Sequence, residues 1–334
     1  METAFINGEE AAKVTFLSSP DAYAGRPEVA VIESSMSWVF LAGTLAFKMK
    51  KPIRRPFLDY TSLTARQRSC EQEVVLNRRL APDVYHGVAP LIQTAPGRFR
   101  IGGEGRLVET LVKMRRLPPE DMLDQRIARG NVRDDDIERI AGCLARFYVG
   151  TGAAETDPAA YIQRIRRYVV DNLSDLRESA PPELREVAER SCRDQLAALD
   201  GRPELFGDRV RAGRIVEGHG DLRPEHVYVA EPPQIIDCLE FRRELRLIDP
   251  ADELSLLAME CERLGGGAIG NAILNRCAAA MNDAFPDRLV RFHKSFRACL
   301  RARMALWHTR DLSKWHERAA QYLGLAARFS PDGG

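Results

Sequence analysis

The sequence predicts an α+β fold in two lobes, a small antiparallel sheet followed by a larger, mainly helical part. Three observations carry that expectation. From Val29 on, short apolar or alternating runs (VAVIES, SWVFLAG, LAFKMKK) are separated by Ser-rich and Gly-Thr breaks, as in a meander. After Met114 the apolar spacing becomes helical and stays so almost to the end. Only residues 214–240 interrupt the helices, with two strand-like pieces, IVEGHGDL and QIIDCLEF, each carrying an acid. At 334 residues the chain is long enough for a sizeable core. The expected organisation is a helical extension over 1–26, a sheet lobe over 27–114, and a helical lobe over 115–334, with a cleft between the lobes.

The elements follow in order. Glu9–Leu17 reads as a short amphipathic helix, closed by a Pro/Gly turn. Residues 64–81 have helical periodicity, with Val74, Val75, Leu76 and Leu80 expected on one side. A strand pair is expected around HGVAPLIQ and FRIGG…RLVETLVKM, with Gly102, Gly103 and Gly105 in a hairpin. DMLDQRIARG has a C-terminal glycine stop, and DDDIERIAGCLARFYVGT begins with three acids that suit a helix N-terminus. AAYIQRIRRYVVDNLSDL and PPELREVAERSCRDQLAAL are further helices, and helices resume from ADELSLLAMECERLG.

Composition excludes several classes of function. Lys and Arg (49) nearly balance Asp and Glu (48), which gives no global case for nucleic acid or a membrane surface. No apolar run is long enough to span a bilayer, and METAFINGEEAAKV is acidic where a signal peptide is basic, so a cytoplasmic protein is expected. The seven cysteines include no CxxC, and the six histidines show no HExxH; neither a disulfide framework nor a zinc centre is indicated.

The chemistry-bearing stretch is His219-Gly220-Asp221-Leu222-Arg223-Pro224-Glu225-His226-Val227, followed by Ile235-Ile236-Asp237. An acid in a loop and a second acid at a strand end are the layout by which kinase-type phosphotransferases place a base and a metal ligand. Asp221 is the candidate base, because a phosphoryl acceptor needs a carboxylate to orient its hydroxyl and take its proton; an isolated Gly-Asp would be a plain turn. Asp237 is the candidate ligand for a hard divalent cation. Glu240 nearby reads first as a salt-bridge partner for Arg242, Arg243 or Arg246, with a second acid at the metal site as the other reading.

His226 departs from the kinase pattern, which has a metal-binding Asn five residues after the Asp. Imidazole suits manganese or zinc better than magnesium. Three readings stand side by side: His226 ligates a softer ion, it hydrogen-bonds Asp221 or a phosphate, or it is a satisfied loop residue. Glu225 beside it is either a replacement oxygen ligand or an exposed loop acid.

Lys48 and Lys50 share one face of an expected third strand. A lysine there grips nucleotide phosphates when a helix Glu holds it, and Glu73 is the natural partner, with Glu71 as a rival. The competing reading is a basic sheet edge that blocks aggregation. No GxGxxG or GxxxxGK[ST] occurs, so a phosphate-covering loop would have to be Ser34–Ser37, with Ser35 and Ser37 as candidate phosphate binders, or that segment is a polar turn. Asp249 and Asp252 are expected as helix caps, or as an acid that holds the His219–Asp221 backbone. Arg297, Arg301 and Arg303 read as a solvated stripe or as binders of an anionic acceptor.

Together these residues resemble the aminoglycoside phosphotransferase-like family of the protein-kinase-like fold. HGDLRPEHV is similar to its HGDLHxxN loop, and IIDCLEF to its strand-end metal acid. The blocks SWVFLAGTLAFKMKKPIRRPFLDYTSL, CEQEVVLNRRLAPDVYHGV, VKMRRLP and EFRRELRLIDPADELSLLAMECERLG are similar to a bacterial group often fused to a P-loop ATPase domain, although no Walker motif occurs in these residues. The resemblance implies ATP and magnesium, or manganese, as cofactors and a small-molecule hydroxyl as acceptor. It implies Asp221 as base, Asp237 as metal ligand, Lys48 on phosphate with Glu73 as partner, and Lys113–Leu117, including Met114, near the adenine. A nucleotide-binding interaction module without catalysis is the alternative that His226 raises, and transfer of a nucleotidyl group is a third.

Overall fold

A computed structural model describes residues 8–55, 58–308 and 311–331. Its first elements are helix α1 (Gly8–Leu17) and strands β1 (Val29–Glu33), β2 (Ser37–Ala42), β3 (Leu45–Lys50), β4 (Arg54–Arg55) and β5 (Leu58–Asp59). Helix α2 (Leu63–Asn77) and strands β6 (Tyr85–Ala95), β7 (Arg98–Ile101) and β8 (Arg106–Arg115) follow. Helices α3 (Leu123–Ala128), α4 (Asp134–Thr151), α5 (Pro158–Ser179), α6 (Pro182–Gly201) and α7 (Glu204–Arg211) precede the short strands β9 (Val216–Glu217), β10 (Val227–Tyr228), β11 (Gln234–Ile235) and β12 (Leu247–Ile248). Helices α8 (Pro250–Arg263), α9 (Gly267–Ala280), α10 (Asp287–Leu306) and α11 (Leu312–Arg328) complete the described chain. Two compact units result: Met1–Pro119 with Gln234–Arg243, and Glu120–Pro233 with Glu244–Gly334.

In the first unit six strands form an antiparallel sheet in the order β1-β2-β3-β8-β6-β7. Strand β3 is therefore interior, paired Lys48↔Val39 on one side and Lys48↔Val112 on the other. That placement removes the reading of Lys48 and Lys50 as a protective basic edge. Alternation decides which face each side chain joins. Phe47 and Met49 pack with Trp38, Phe40, Leu91, Leu111 and Leu17 of α1, while the other face meets α2 through Cys70, Val74, Val112 and Tyr85. Gly102, Gly103 and Gly105 all have positive φ in the β7–β8 hairpin; at Gly105 a Cβ would meet Ile92 Cγ2 at 2.3 Å.

Helix α2 begins where the Ser62 hydroxyl accepts from Ala65 N at 3.1 Å. Its buried side differs from the expected one. Val74, Leu76 and Leu80 are buried, but Val75 is 63% exposed. Successive residues turn by 100°, so Val74, Val75 and Leu76 cannot share one stripe; Cys70, Glu73 and Asn77 complete it. Helix α1 joins the unit through Lys13, whose ammonium lies 3.5 Å from the fully buried Glu109, itself held by Arg66.

The second unit is helical around a core that draws on α5, α6, α7, α8, α10 and α11, with Phe206, Phe292, Phe296 and Tyr322 among its buried residues. Its strands β9 and β12 pair antiparallel, Val216↔Ile248 and Glu217↔Leu247. Helix α8 is capped by Asp249, which accepts from Ala251 N at 2.9 Å and receives the Arg209 fork at 2.7 and 2.8 Å. The predicted strand pieces contract to two residues each, Val216–Glu217 and Gln234–Ile235. All seven cysteines are free, and among the described residues no helix is long and apolar enough to cross a membrane.

Candidate functional site

Within the first unit the two strand lysines and three acids form one network. Lys48 Nζ lies 2.9 Å from Glu73 Oε1 and 2.8 Å from Asp237 Oδ1. Lys50 Nζ lies 2.6 Å from Glu73 Oε2 and also donates to Glu240 Oε1. Glu73 is completely buried and divides its two oxygens between the two lysines. The rival Glu71 is exposed and accepts from Gln67. Burial opposes the charge on Lys48, but Asp237, Glu73 and Glu240 outweigh it and hold the ammonium well above its usual range.

Glu240 differs from its first reading. Besides Lys50 it accepts from the Tyr60 hydroxyl at 2.7 Å. Burial would raise the Glu240 carboxyl, yet Lys50 and Lys48 keep it below the ordinary value. Nothing in the sequence pairs residues 50, 60 and 240; the one available signal was that Lys50 shares the face of Lys48.

Asp237 sits two residues beyond β11, at φ 64°, a left-handed conformation that aspartate adopts more readily than most residues. Three backbone contacts shape the segment: Ile235 N to Leu80 O at 3.2 Å, Asp237 N to Tyr85 Oη at 3.1 Å and Cys238 N to Asn77 Oδ1 at 2.9 Å. The Asp237 side chain is 46% exposed, whereas Glu73 and Glu240 are buried. Ser34 closes the β1–β2 turn: its hydroxyl accepts from Ser37 N at 3.0 Å and from Met36 N at 3.3 Å. Ser37 is buried in that turn and Ser35 is exposed. Met114 is a β8 residue paired with Ala46 and Tyr85, part-buried beside Leu117 and Ile236.

In the second unit the His219–His226 loop folds largely onto its own groups and onto α8. Glu253 Oε1 and Oε2 each lie 3.0 Å from His219 N, Gly220 N also donates to this carboxylate, and Tyr148 Oη donates at 2.8 Å. Gly218 allows this approach: a Cβ there would meet Ile248 Cγ2 at 2.7 Å and Glu253 Oε2 at 2.8 Å. The loop-holding acid is therefore Glu253. Asp252, expected as cap or holder, instead takes the Arg297 fork at 2.7 and 2.8 Å. A usable signal existed: Glu253 precedes Leu256 and Leu257 by one helical turn, on the buried side of a nearly all-buried helix.

Asp221 is contacted by Arg223, whose Nε donates to Oδ2 at 2.9 Å. Burial would raise the Asp221 carboxyl, but its positive neighbours, the Arg223 guanidinium first and Arg301 further off, outweigh it and hold it at about 2. Arg223 also donates to Glu225 and, at 2.9 Å, to His226 Nε2, while His226 Nδ1 lies 2.8 Å from the Asp221 carbonyl. A guanidinium only donates and a carbonyl only accepts. These partners define the Nδ1–H tautomer, with the Nε2 lone pair turned to Arg223.

The arginine stripe is paired rather than solvated. Arg297 binds Asp252, Arg301 lies 3.0 Å from Glu260, and Arg303 donates to Asp175. With each charge already matched, the stripe gives no support to a specifically anionic acceptor.

The fold recurs in proteins of known structure. The chain is similar to a choline/ethanolamine kinase family protein from Mesorhizobium loti, at 14% identity and a TM-score of 0.52, over 96% of this chain and 99% of that one. It is also similar to a glucosamine kinase solved with glucosamine, ADP and inorganic phosphate, at 14% identity and a TM-score of 0.50, over 95% of this chain and 85% of that one. The fold is protein-kinase-like. Among curated proteins, an uncharacterized protein of Mycobacterium tuberculosis (strain ATCC 25618 / H37Rv) is 32% identical over 281 residues, 83% of this chain. An uncharacterized Mycobacterium bovis protein matches equally, and the chain spans about half the length, 55%, of these relatives. No family model matches the chain.

Two metal-binding positions were expected, and their donor sets differ. Asp237 fits: magnesium takes one or two carboxylates and completes its shell with water and phosphate oxygens, and Asp237 is half exposed. His226 does not fit a hard cation. Its ring nitrogens already have a carbonyl and a guanidinium as partners, and among the described residues no three His, Cys, Asp or Glu gather as a metal cluster.

Proposed function

We propose that this protein is an ATP-dependent O-phosphotransferase that acts on the hydroxyl group of a small molecule, within the aminoglycoside phosphotransferase-like family and near the bacterial group often fused to a P-loop ATPase domain. The observation that carries the reading is the Lys48 ammonium, held by buried Glu73 at 2.9 Å and by half-exposed Asp237 at 2.8 Å. A lysine fixed in this way is a ready phosphate ligand, and the acid beside it suits a divalent ion. Asp237 would hold that ion, which would supply charge neutralisation at the phosphates. Lys48 binds phosphate oxygens, the exposed Ser35 offers its hydroxyl while Ser37 is spent on the turn itself, and the Met114 strand end receives the adenine.

Asp221 orients the acceptor hydroxyl. With a carboxyl held at about 2 it is ionised at neutral pH, a weak base that takes the proton late, as the new P–O bond forms and the bond to the ADP oxygen breaks. Glu253 keeps the backbone of that loop in place from below. The named compounds of the structural neighbours suggest amino alcohols and amino sugars as the first acceptors to test.

A second reading, a nucleotide-binding module without catalysis, is favoured by the single observation that both His226 nitrogens are engaged. Incubation with ATP, magnesium and a panel of amino alcohols and amino sugars, read by product mass, separates the two. A phosphorylated acceptor supports transfer, an adenylylated product indicates a nucleotidyl step, and nucleotide binding without any product supports the silent module.

A further inference from the structure

We propose that the Arg223 guanidinium is the resident cation of the catalytic loop, occupying the role beside Asp221 that a second divalent ion has where an asparagine stands at position 226. The inference rests on the phosphotransfer reading and makes it narrower. Its ground is the misfit at His226. The one atom of that side chain able to ligate, Nε2, has its lone pair on Arg223 at 2.9 Å, and Nδ1–H is spent on the Asp221 carbonyl at 2.8 Å. An ion there would have to displace a guanidinium to gain a nitrogen ligand that magnesium binds poorly.

Arg223 spends one donor from each of its three nitrogens on a different acceptor of a six-residue stretch. Nε reaches Asp221 Oδ2 at 2.9 Å, one terminal nitrogen reaches Glu225, and the other reaches His226 Nε2. Asp221 and Glu225 supply two negative charges and His226 a neutral donor atom, the kind of mixed set that usually surrounds a metal. The side chain is only 16% exposed, and the planar fork holds the three acceptors at fixed angles. Unlike an ion, this charge is covalently part of the loop and independent of metal concentration. Glu225, read from sequence as a replacement ligand or a loop acid, becomes the third support of the guanidinium. His226 becomes its acceptor, which explains why a ring with a nitrogen lone pair can stand where an amide oxygen is usual. Arg223 is thus a positioning residue for Asp221, and it sets how many metal ions the chain binds.

The test is a count of bound manganese by electron paramagnetic resonance, titrated into the full chain with a non-hydrolysable ATP analogue. One ion per chain is expected for the wild type and for Arg223→Lys, and two for the double variant Arg223→Gln with His226→Asn. Circular dichroism on the same samples verifies that the variants are folded. Two ions in the wild type overturn the inference with no variant needed, and leave the phosphotransfer reading intact. A folded double variant that still binds one ion also overturns it. No ion in any form overturns the nucleotide reading and this inference with it.

Discussion

The two acid-bearing regions are built in opposite ways. Around Asp237 the partners come from far along the chain: Lys48 and Lys50 from a strand, Glu73 from a helix, and Tyr60 from a connecting segment. Three acids there meet two lysines, and the acid with spare exposure is Asp237. Around Asp221 the contacts with Arg223, Glu225 and His226 span two to five residues of one loop, and the directly paired positive charge, Arg223, is supplied from within. In the proposed function the first region receives a further cation. The second carries its own. A bound metal should therefore matter for the first and be dispensable to the shape of the second.

The largest expected effect breaks the second region. Asp221→Asn should lower turnover by about a thousandfold, within the usual 10²–10⁴ range for a positioned base, while ATP affinity measured by calorimetry stays within about twofold. Loss of affinity together with turnover would move Asp221 out of the catalytic role and into nucleotide binding.

Next come the buried lysine and its neighbour. Lys50→Met leaves Glu73 and Glu240 short of a partner in the interior, so urea denaturation should show a loss of about 3–5 kcal/mol. Lys48→Met should cost less stability, because its partner Asp237 is half exposed, but more nucleotide affinity. If the two variants show the same ratio of stability loss to affinity loss, the division between a structural and a phosphate-binding lysine is wrong. Glu253→Ala ranks third. It strips the His219 and Gly220 N–H groups and the Tyr148 hydroxyl of their acceptor, at about 1–3 kcal/mol for buried donors left unsatisfied, and it should slow turnover by loosening Asp221.

The smallest effect is a pH signature. The Asp221 carboxyl lies at about 2 when folded, against about 3.9 in an unfolded chain. Its ion pair with Arg223 thus stabilises the native protein above about pH 4, and that contribution fades as pH falls through the folded value. Arg223→Met should be less stable than the wild type at pH 7, and the gap in melting temperature should narrow from about pH 5 toward pH 2. A gap independent of pH would mean that Arg223 acts through packing.

What the sequence made legible follows the same divide. Local patterns were readable: the loop acid, the strand-end acid, the three-acid start of α4, and the pairing of Lys48 with Glu73, which needs only one strand face and one helix face. Long-range partners were not. Glu240 was matched to arginines near it in sequence because no one-dimensional signal joins it to Lys50, 190 residues away. The loop-holding acid was sought at Asp249 or Asp252 rather than at Glu253, since these acids open the same helix and only packing separates their faces. For the arginines of α10, charge predicts exposure on average; here the partners Asp252, Glu260 and Asp175 lie on other helices and are invisible to spacing.

The most direct test of the central claim is the melting temperature with ATP or ADP, in magnesium, in manganese and without metal, for the wild type and Asp237→Ala. Ligand that binds only the native chain raises the midpoint by mass action. The account predicts a metal-dependent rise in the wild type that Asp237→Ala abolishes, with no marked preference for manganese, because His226 is not a ligand. The absence of any shift under every condition would contradict it.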